Sequence, residues 1–197
     1  MKLIDIIKEQ KIYGIIREDN AKVALERISA YIEGGIKLIE INAPLEVTKA
    51  VSKFDNVIIA QGGVITTSQA HEALKAGAQI ISSPIFQTNL TRFSSCYKTF
   101  LIPSVTTANE AYSAWRSRIP LVKIYPVSEM GGIEYIKDLM KPMPFLSLLP
   151  CGFVKLDEIK EYLNAGAVAV GLGRELYAKT SYEDIVKTVK EAVRMVR

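Results

Sequence analysis

The sequence predicts a compact (β/α)8 barrel, a single domain over residues 1–197. Three observations lead there. Short apolar runs alternate with amphipathic helical stretches at a spacing of about 20 to 30 residues, the rhythm of repeated β/α units. The runs are rich in Val, Ile and Leu, as strands buried on both faces must be. Small residues recur where a helix hands over to a run, in Glu33-Gly34-Gly35, Lys75-Ala76-Gly77 and Asn164-Ala165-Gly166. Glycine ends a helix there because it takes the left-handed conformation at little cost. A doubly wound open sheet is the alternative, but no G-x-G-x-x-G follows the first run, which counts against a dinucleotide-binding version.

The elements follow in order. Ile12–Arg17 is the first strand, and Ala21–Glu33 the first helix, with Val23, Ala24, Ile28 and Ile32 at helical spacing. Lys37–Ile41 is the second strand, followed by a weaker helical segment over 46–53. Val57–Gln61 and Gln79–Ser83 flank a helix over Ser68–Lys75, and a second weak segment spans 88–96. Phe100–Val105 leads to a helix over Ala108–Arg116, and Leu121–Val127 to one over Ile133–Met140. Phe145–Pro150, a helix over Leu156–Leu163, the strand Ala167–Gly171 and a last helix over Tyr182–Val196 complete the count.

Composition narrows the chemistry. Of 197 residues, 49% are hydrophobic, enough for a proper core without disulfide or metal. The net charge of +4 is mild and unclustered, so no nucleic-acid face is expected. Cys96 and Cys151 lack metal-site spacing. His71 is the only histidine, so a His-rich zinc site is excluded, and His71, early in a helix, reads as a solvated or helix-packing residue. The first residues hold no long apolar core with a small-residue cleavage site, and no stretch approaches a membrane span, so a cytoplasmic protein is expected.

In such a barrel the active site lies at the C-terminal ends of the strands, so charged residues that interrupt the runs stand out. Lys123 sits inside Leu121-Val122-Lys123-Ile124-Tyr125. Burial disfavours a lysine's cation and frees the amine to attack a carbonyl; an edge-strand lysine or a structural ion pair is the plainer reading. Glu40 interrupts Leu38-Ile39-Glu40-Ile41-Asn42 and by alternation shares a face with Leu38 and Asn42. It could partner Lys123 as a general base, or form only a structural salt bridge. Arg17, ending the first strand, could grip a carboxylate or phosphate, though a lone arginine after a strand is more often a surface residue. Gly152 and Gly173 close the last two strands, where backbone N–H groups reach an anion in many such barrels; tight turns alone would also need them. Cys151 reads as a small buried hydrophobe, and Trp115 as packing a helix against the barrel.

Taken together, Gly14-Ile-Ile-Arg17, Gly35-Ile-Lys-Leu-Ile-Glu-Ile41, Lys75-Ala-Gly-Ala78 with Ser83-Pro84, Ile102-Pro103 with Thr106-Thr107, Val122-Lys-Ile-Tyr-Pro126 and Gly171-Leu-Gly-Arg-Glu-Leu-Tyr177 resemble the class I aldolases of KDPG (2-keto-3-deoxy-6-phosphogluconate), KHG (4-hydroxy-2-oxoglutarate) and 2-keto-3-deoxy-6-phosphogalactonate. The resemblance runs from about residue 12 to residue 177. It implies a lyase of carbohydrate metabolism, needing no metal or cofactor and working as a homotrimer. Lys123 would form a Schiff base with a keto acid, and Glu40 would handle protons. Arg17, Gly62, Gly63, Pro103, Gly152, Phe153, Gly173 and Arg174 would contact a substrate expected to be phosphorylated.

Departures from the family pattern fall around that substrate. Gly63 replaces a threonine that approaches the keto-acid carboxylate, and Phe153 replaces the second glycine of the strand-seven phosphate motif. Arg174 stands where a small or hydroxyl residue is usual, and Ser104 follows Pro103 where the family has glycine. They motivate an alternative, a barrel that binds a keto acid or phosphate in a regulatory or assembly role without turning it over. A phosphate-binding isomerase is a third reading, and the Lys123–Glu40 pair favours imine chemistry over it.

Overall fold

The computed structural model describes residues 2–179 and 181–197. Eight parallel strands form one nearly closed barrel: β1 (Ile12–Arg17), β2 (Leu38–Asn42), β3 (Ile58–Gln61), β4 (Ile80–Ser83), β5 (Phe100–Val105), β6 (Val122–Ile124), β7 (Leu148–Pro150) and β8 (Val170–Leu172). β1 pairs with both β2 and β8. The ring closes between β7 and β8 through a bridge of Cys151 to Gly171 and a bond from Val168 N–H to the Leu148 carbonyl, 3.0 Å.

The helices are α1 (Leu3–Gln10), α2 (Ala21–Gly34), α3 (Leu45–Val51), α4 (Thr67–Lys75), α5 (Thr88–Tyr97), α6 (Ala108–Arg116), α7 (Gly132–Met140), α8 (Ile159–Asn164) and α9 (Tyr182–Met195). Local chemistry sets their ends. Asn20 caps α2 by accepting from Lys22 and Val23 N–H, and Thr66 and Thr107 form capping boxes with Gln69 and Glu110 at the starts of α4 and α6. Gly35, Gly77 and Gly166, the junction glycines of the sequence, all have positive φ. Both weak segments, 46–53 and 88–96, are helices, as α3 and α5.

Five elements differ clearly from expectation. α1 was not anticipated. It buries Ile7 among the residues that fill the barrel's interior, with Leu3 and Ile4 packed beside it. Only its tertiary partner stabilises so short a helix. The last three strands are shorter than their apolar runs, because Leu121, Leu146 and Ala169 are buried outside regular pairing. α8 begins at Ile159 rather than Leu156.

Strand alternation divides the core in two. Ile39, Ile41, Val122 and Ile124 join the layer between sheet and helices. Leu38, Ile80, Leu121 and Ala169 form one inner layer, and Tyr13, Ala60, Ile102 and Leu149 the next. Four side chains per layer from alternate strands is the way this barrel fills its centre. Trp115 does not sit under its helix: Ala111 and Ala114 take the buried face of α6, leaving the indole 42% exposed against Phe145. His71 packs edge-on to Phe93 and Tyr97 between α4 and α5. Among the described residues no helix is long and apolar enough to cross a membrane.

Candidate active site

The layer above Tyr13 is polar. It consists of Glu40 from β2, Ser82 from β4, Lys123 from β6 and Gly171 beside the ring closure. Lys123, Glu40 and Ser82 are all buried. Lys123 Nζ donates to Glu40 Oε2 at 2.5 Å and to Ser82 Oγ at 2.8 Å. Asn42 Nδ2 donates to Glu40 Oε1 at 2.9 Å, so both carboxylate oxygens have a partner. Desolvation largely cancels the Coulomb gain of such a buried pair, so fold stability is a poor account of it.

Electrostatics divides the ionisable groups around the pair. Burial would raise the Glu40 carboxyl, but the Lys123 charge, its hydrogen bond and those of Asn42 and Ser82 together outweigh burial and hold it below the ordinary carboxylate value. Burial pushes the Cys151 thiol up to about 12, Lys123 opposing and Glu40 adding to the effect. A thiol so held is no nucleophile, which agrees with its reading as a small hydrophobe. Gly171 has no room for a side chain, because a Cβ there would overlap Cys151 Sγ. Tyr13 is buried beneath Lys123, with Nζ 5.6 Å from the ring centroid. Desolvation and then the Glu40 charge hold its phenol well above the usual range.

Above this layer a cavity of about 380 Å³ opens at the C-terminal ends of β1, β7 and β8. Five of the expected substrate-binding residues meet in it: Arg17, Gly152, Phe153, Gly173 and Arg174. Lys155 adds a third cation. The floor includes Ile15 and Gly171, which link the cavity to the Lys123 layer. Gly152 has φ 98°, and a Cβ there would stand 3.0 Å from Pro126 Cα, so this turn admits only glycine. Phe153 follows it at φ 56°, also left-handed, with its ring 65% exposed. Tyr31 braces the cavity from behind, its hydroxyl donating to the Gly173 carbonyl at 3.2 Å. Arg27 lies over the Tyr177 ring and bonds Glu18 at 2.8 Å.

Three expected contacts lie elsewhere. Gly62 and Gly63 line a separate cavity of about 360 Å³ with Pro44 and Ser68, and Gly62 backs closely on Asn42. Pro103 aligns with Ser83 between Leu101 and Val105, which join the helix-facing core, while Ser104 is the β5 residue beside Lys123. A further cavity of about 480 Å³, lined by Trp115, Arg118 and Phe145, lies before β6 and β7 and holds none of these residues. Sequence reasoning passed over Ser82, Tyr13 and Lys155. Ser82 and Tyr13 could have been found from strand parity, since each interrupts an apolar run on the inward face. Lys155 carries no comparable signal. Among the described residues no cluster of three or more His, Cys, Asp or Glu could hold a metal ion.

The sequence model of the family described as "KDPG and KHG aldolase" matches residues 3–190. The chain is 27% identical over 191 residues to the 2-dehydro-3-deoxy-6-phosphogalactonate aldolase of Escherichia coli (strain K12), covering 93% of this chain and 92% of that protein. It is similar in fold to the 2-keto-3-deoxy-6-phosphogluconate aldolase of Zymomonas mobilis solved with 3-phosphoglycerate, at TM-score 0.89 and 22% identity, over 98% of this chain and 95% of that one. It is similar also to the KDPG aldolase of Legionella pneumophila solved with pyruvate captured as a covalent carbinolamine, at TM-score 0.86 and 22% identity, over 100% and 98% of the two chains.

Proposed function

The chain belongs to the KDPG and KHG aldolase family, and on that premise we propose that it is a class I aldolase whose Lys123 forms a Schiff base with a 2-keto-3-deoxy sugar acid. The observation that carries this reading is the buried Lys123–Glu40 pair at the open end of the barrel. The ammonium must lose a proton before it can attack, and Glu40 Oε2, 2.5 Å away, is the acceptor. The amine adds to the C2 carbonyl. Glu40 returns its proton to the carbinolamine hydroxyl, which leaves as water. The protonated imine then draws the electrons of the C3–C4 bond toward nitrogen as the C4 hydroxyl passes its proton to Glu40, a carboxylate again after dehydration. The bond breaks, an aldehyde departs, and the enamine left behind takes a proton at C3. Hydrolysis returns pyruvate and the free lysine.

A phosphorylated substrate is part of the proposal, with glyceraldehyde 3-phosphate as the departing aldehyde. Arg17, Lys155 and Arg174 around one cavity support it, since three cations against the single carboxylate of Glu175, beside glycine turns, suit a dianion. Carbinolamine capture in the Legionella relative supports the imine chemistry, and 3-phosphoglycerate in the Zymomonas relative supports an anionic phosphate group. We further take the active species to be a homotrimer, which sedimentation equilibrium tests.

The decisive experiment incubates the protein with pyruvate, reduces with borohydride and weighs it intact, beside Lys123→Met. A pyruvate-sized adduct on the wild type alone is expected. A folded wild type with no adduct overturns the reading and favours a barrel that binds a keto acid without turning it over. Retro-aldol assays with the phosphogluconate and phosphogalactonate substrates then choose between the two sugar acids.

A further inference from the structure

Tyr13 is a buried ionisable group beside Lys123 for which the mechanism above has no task. Its side chain is fully buried, and its hydroxyl makes no hydrogen bond to any described residue. Glu40, Cys151 and Ser82 are near enough to act on its ionisation, and Glu40 acts most strongly of the three. A phenol in a barrel core is costly when its hydroxyl is unpaired, and a phenylalanine would fill the same space without that cost. Ala60, small and in the same layer, leaves the ring its room.

The bookkeeping of donors around Lys123 changes when the imine forms. The ammonium has three N–H donors, and two of them reach Glu40 Oε2 and Ser82 Oγ. In the overall step, R–NH3+ and O=C give R–NH+=C and water. The positive charge stays on nitrogen, but two of the three N–H hydrogens leave with the carbonyl oxygen. The single N–H that remains can serve Glu40 or Ser82, not both. One of the two bonds that Lys123 gives the pair is therefore lost in the intermediate, and only there, leaving the Ser82 hydroxyl as the remaining side-chain donor from this layer.

We propose that Tyr13 is a positioning residue for the imine, its hydroxyl taking over as donor to the Glu40–Ser82 pair when Lys123 is consumed. This rests on the reading of Lys123 as the Schiff-base lysine. The hydroxyl is kept unpaired in the free protein so that it is available one step later, and its protonated state is secured by burial and by the Glu40 charge.

Tyr13→Phe tests it, because it removes the hydroxyl and keeps the ring beneath Lys123. Borohydride trapping at saturating pyruvate is followed against pH for wild type and variant, with melting temperature measured alongside. The expected result is a trapped fraction lower by about 10-fold or more, the worth of one hydrogen bond to a charged group. The acid limb of trapping should move to higher pH, since Glu40 loses a donor that favours its ionised form in the intermediate. The melting temperature should hold or rise. Equal trapping with an unchanged pH profile overturns the role of Tyr13 and leaves Lys123 standing. A variant that traps less only in proportion to its loss of folded protein also overturns it. No trapping in a folded wild type fails the Lys123 reading instead.

Discussion

Lys123 and Glu40 depend on each other more than on anything else in the barrel. Each is buried, and each would be an uncompensated charge without its partner. Glu40→Gln keeps the shape and removes the countercharge. It should cost about 3–5 kcal/mol of stability, as breaking a buried pair does, and lower kcat by about 100- to 10,000-fold through loss of the base. The pH dependence has a definite sign. The Glu40 carboxyl sits below its ordinary value in the folded protein. Its contribution is therefore present above the unfolded carboxyl's pKa, about 4.3, and is lost as pH falls through the lower folded value. The gap in melting temperature between wild type and Glu40→Gln should thus narrow below about pH 4. A gap that stays constant into strong acid would mean that Glu40 contributes by packing and not by charge.

At the scale of an element, the turn after β7 carries backbone strain at the cavity; Phe153 there is one of five described non-glycine residues with positive φ. Gly152 tolerates its left-handed conformation; Phe153 at φ 56° does not do so freely. A non-glycine residue there costs about 1–2 kcal/mol, and the ring that incurs the cost is 65% exposed at the rim of the cation-lined cavity. Phe153→Gly should relieve about 1 kcal/mol of that strain, visible as a higher melting temperature. It should also tighten binding of inorganic phosphate, because a second glycine lets the backbone approach the anion. Calorimetric titration with phosphate measures this directly, and weaker binding in the variant would show that the phenyl ring helps to enclose the anion.

For the whole molecule, alkali is the sharper limit. Burial leads the causes that raise Tyr13, Tyr31, Tyr162 and Cys151, Tyr162 and Cys151 each to about 12. A group raised in the folded state stabilises fully below its unfolded value and stops doing so as pH passes the folded one. For the Cys151 thiol that window runs from about 8.5 up to about 12. The barrel should therefore lose stability progressively above about pH 9. Spectrophotometric titration at room temperature should ionise the exposed members of the nine tyrosines first and the buried ones only as the far-ultraviolet helical signal collapses. Ionisation of all nine before that collapse would contradict the packing of Tyr13 and Tyr31.

The sequence by itself determined the barrel and singled out the two residues of its buried ion pair. Alternation with period two is a local property, and it turned Lys123 and Glu40 to one side of their strands while Val122, Ile124, Ile39 and Ile41 met the helices. Junction glycines and capping residues were equally local, which is why most element boundaries agree within a few residues. The tertiary structure alone decided who stands beside Lys123. Parity turns Ser82 and Tyr13 inward, but the accumulated stagger of eight pairings sets the height at which they and Cys151 meet it, and no window of sequence contains that sum. Alternation within β5 turned Pro103 outward, while the closed ring put Gly62 and Gly63 in another cavity and brought Lys155 to Arg17 and Arg174. It also gave α1 its place under the barrel, since a short amphipathic helix acquires a partner only once the ring exists to be closed.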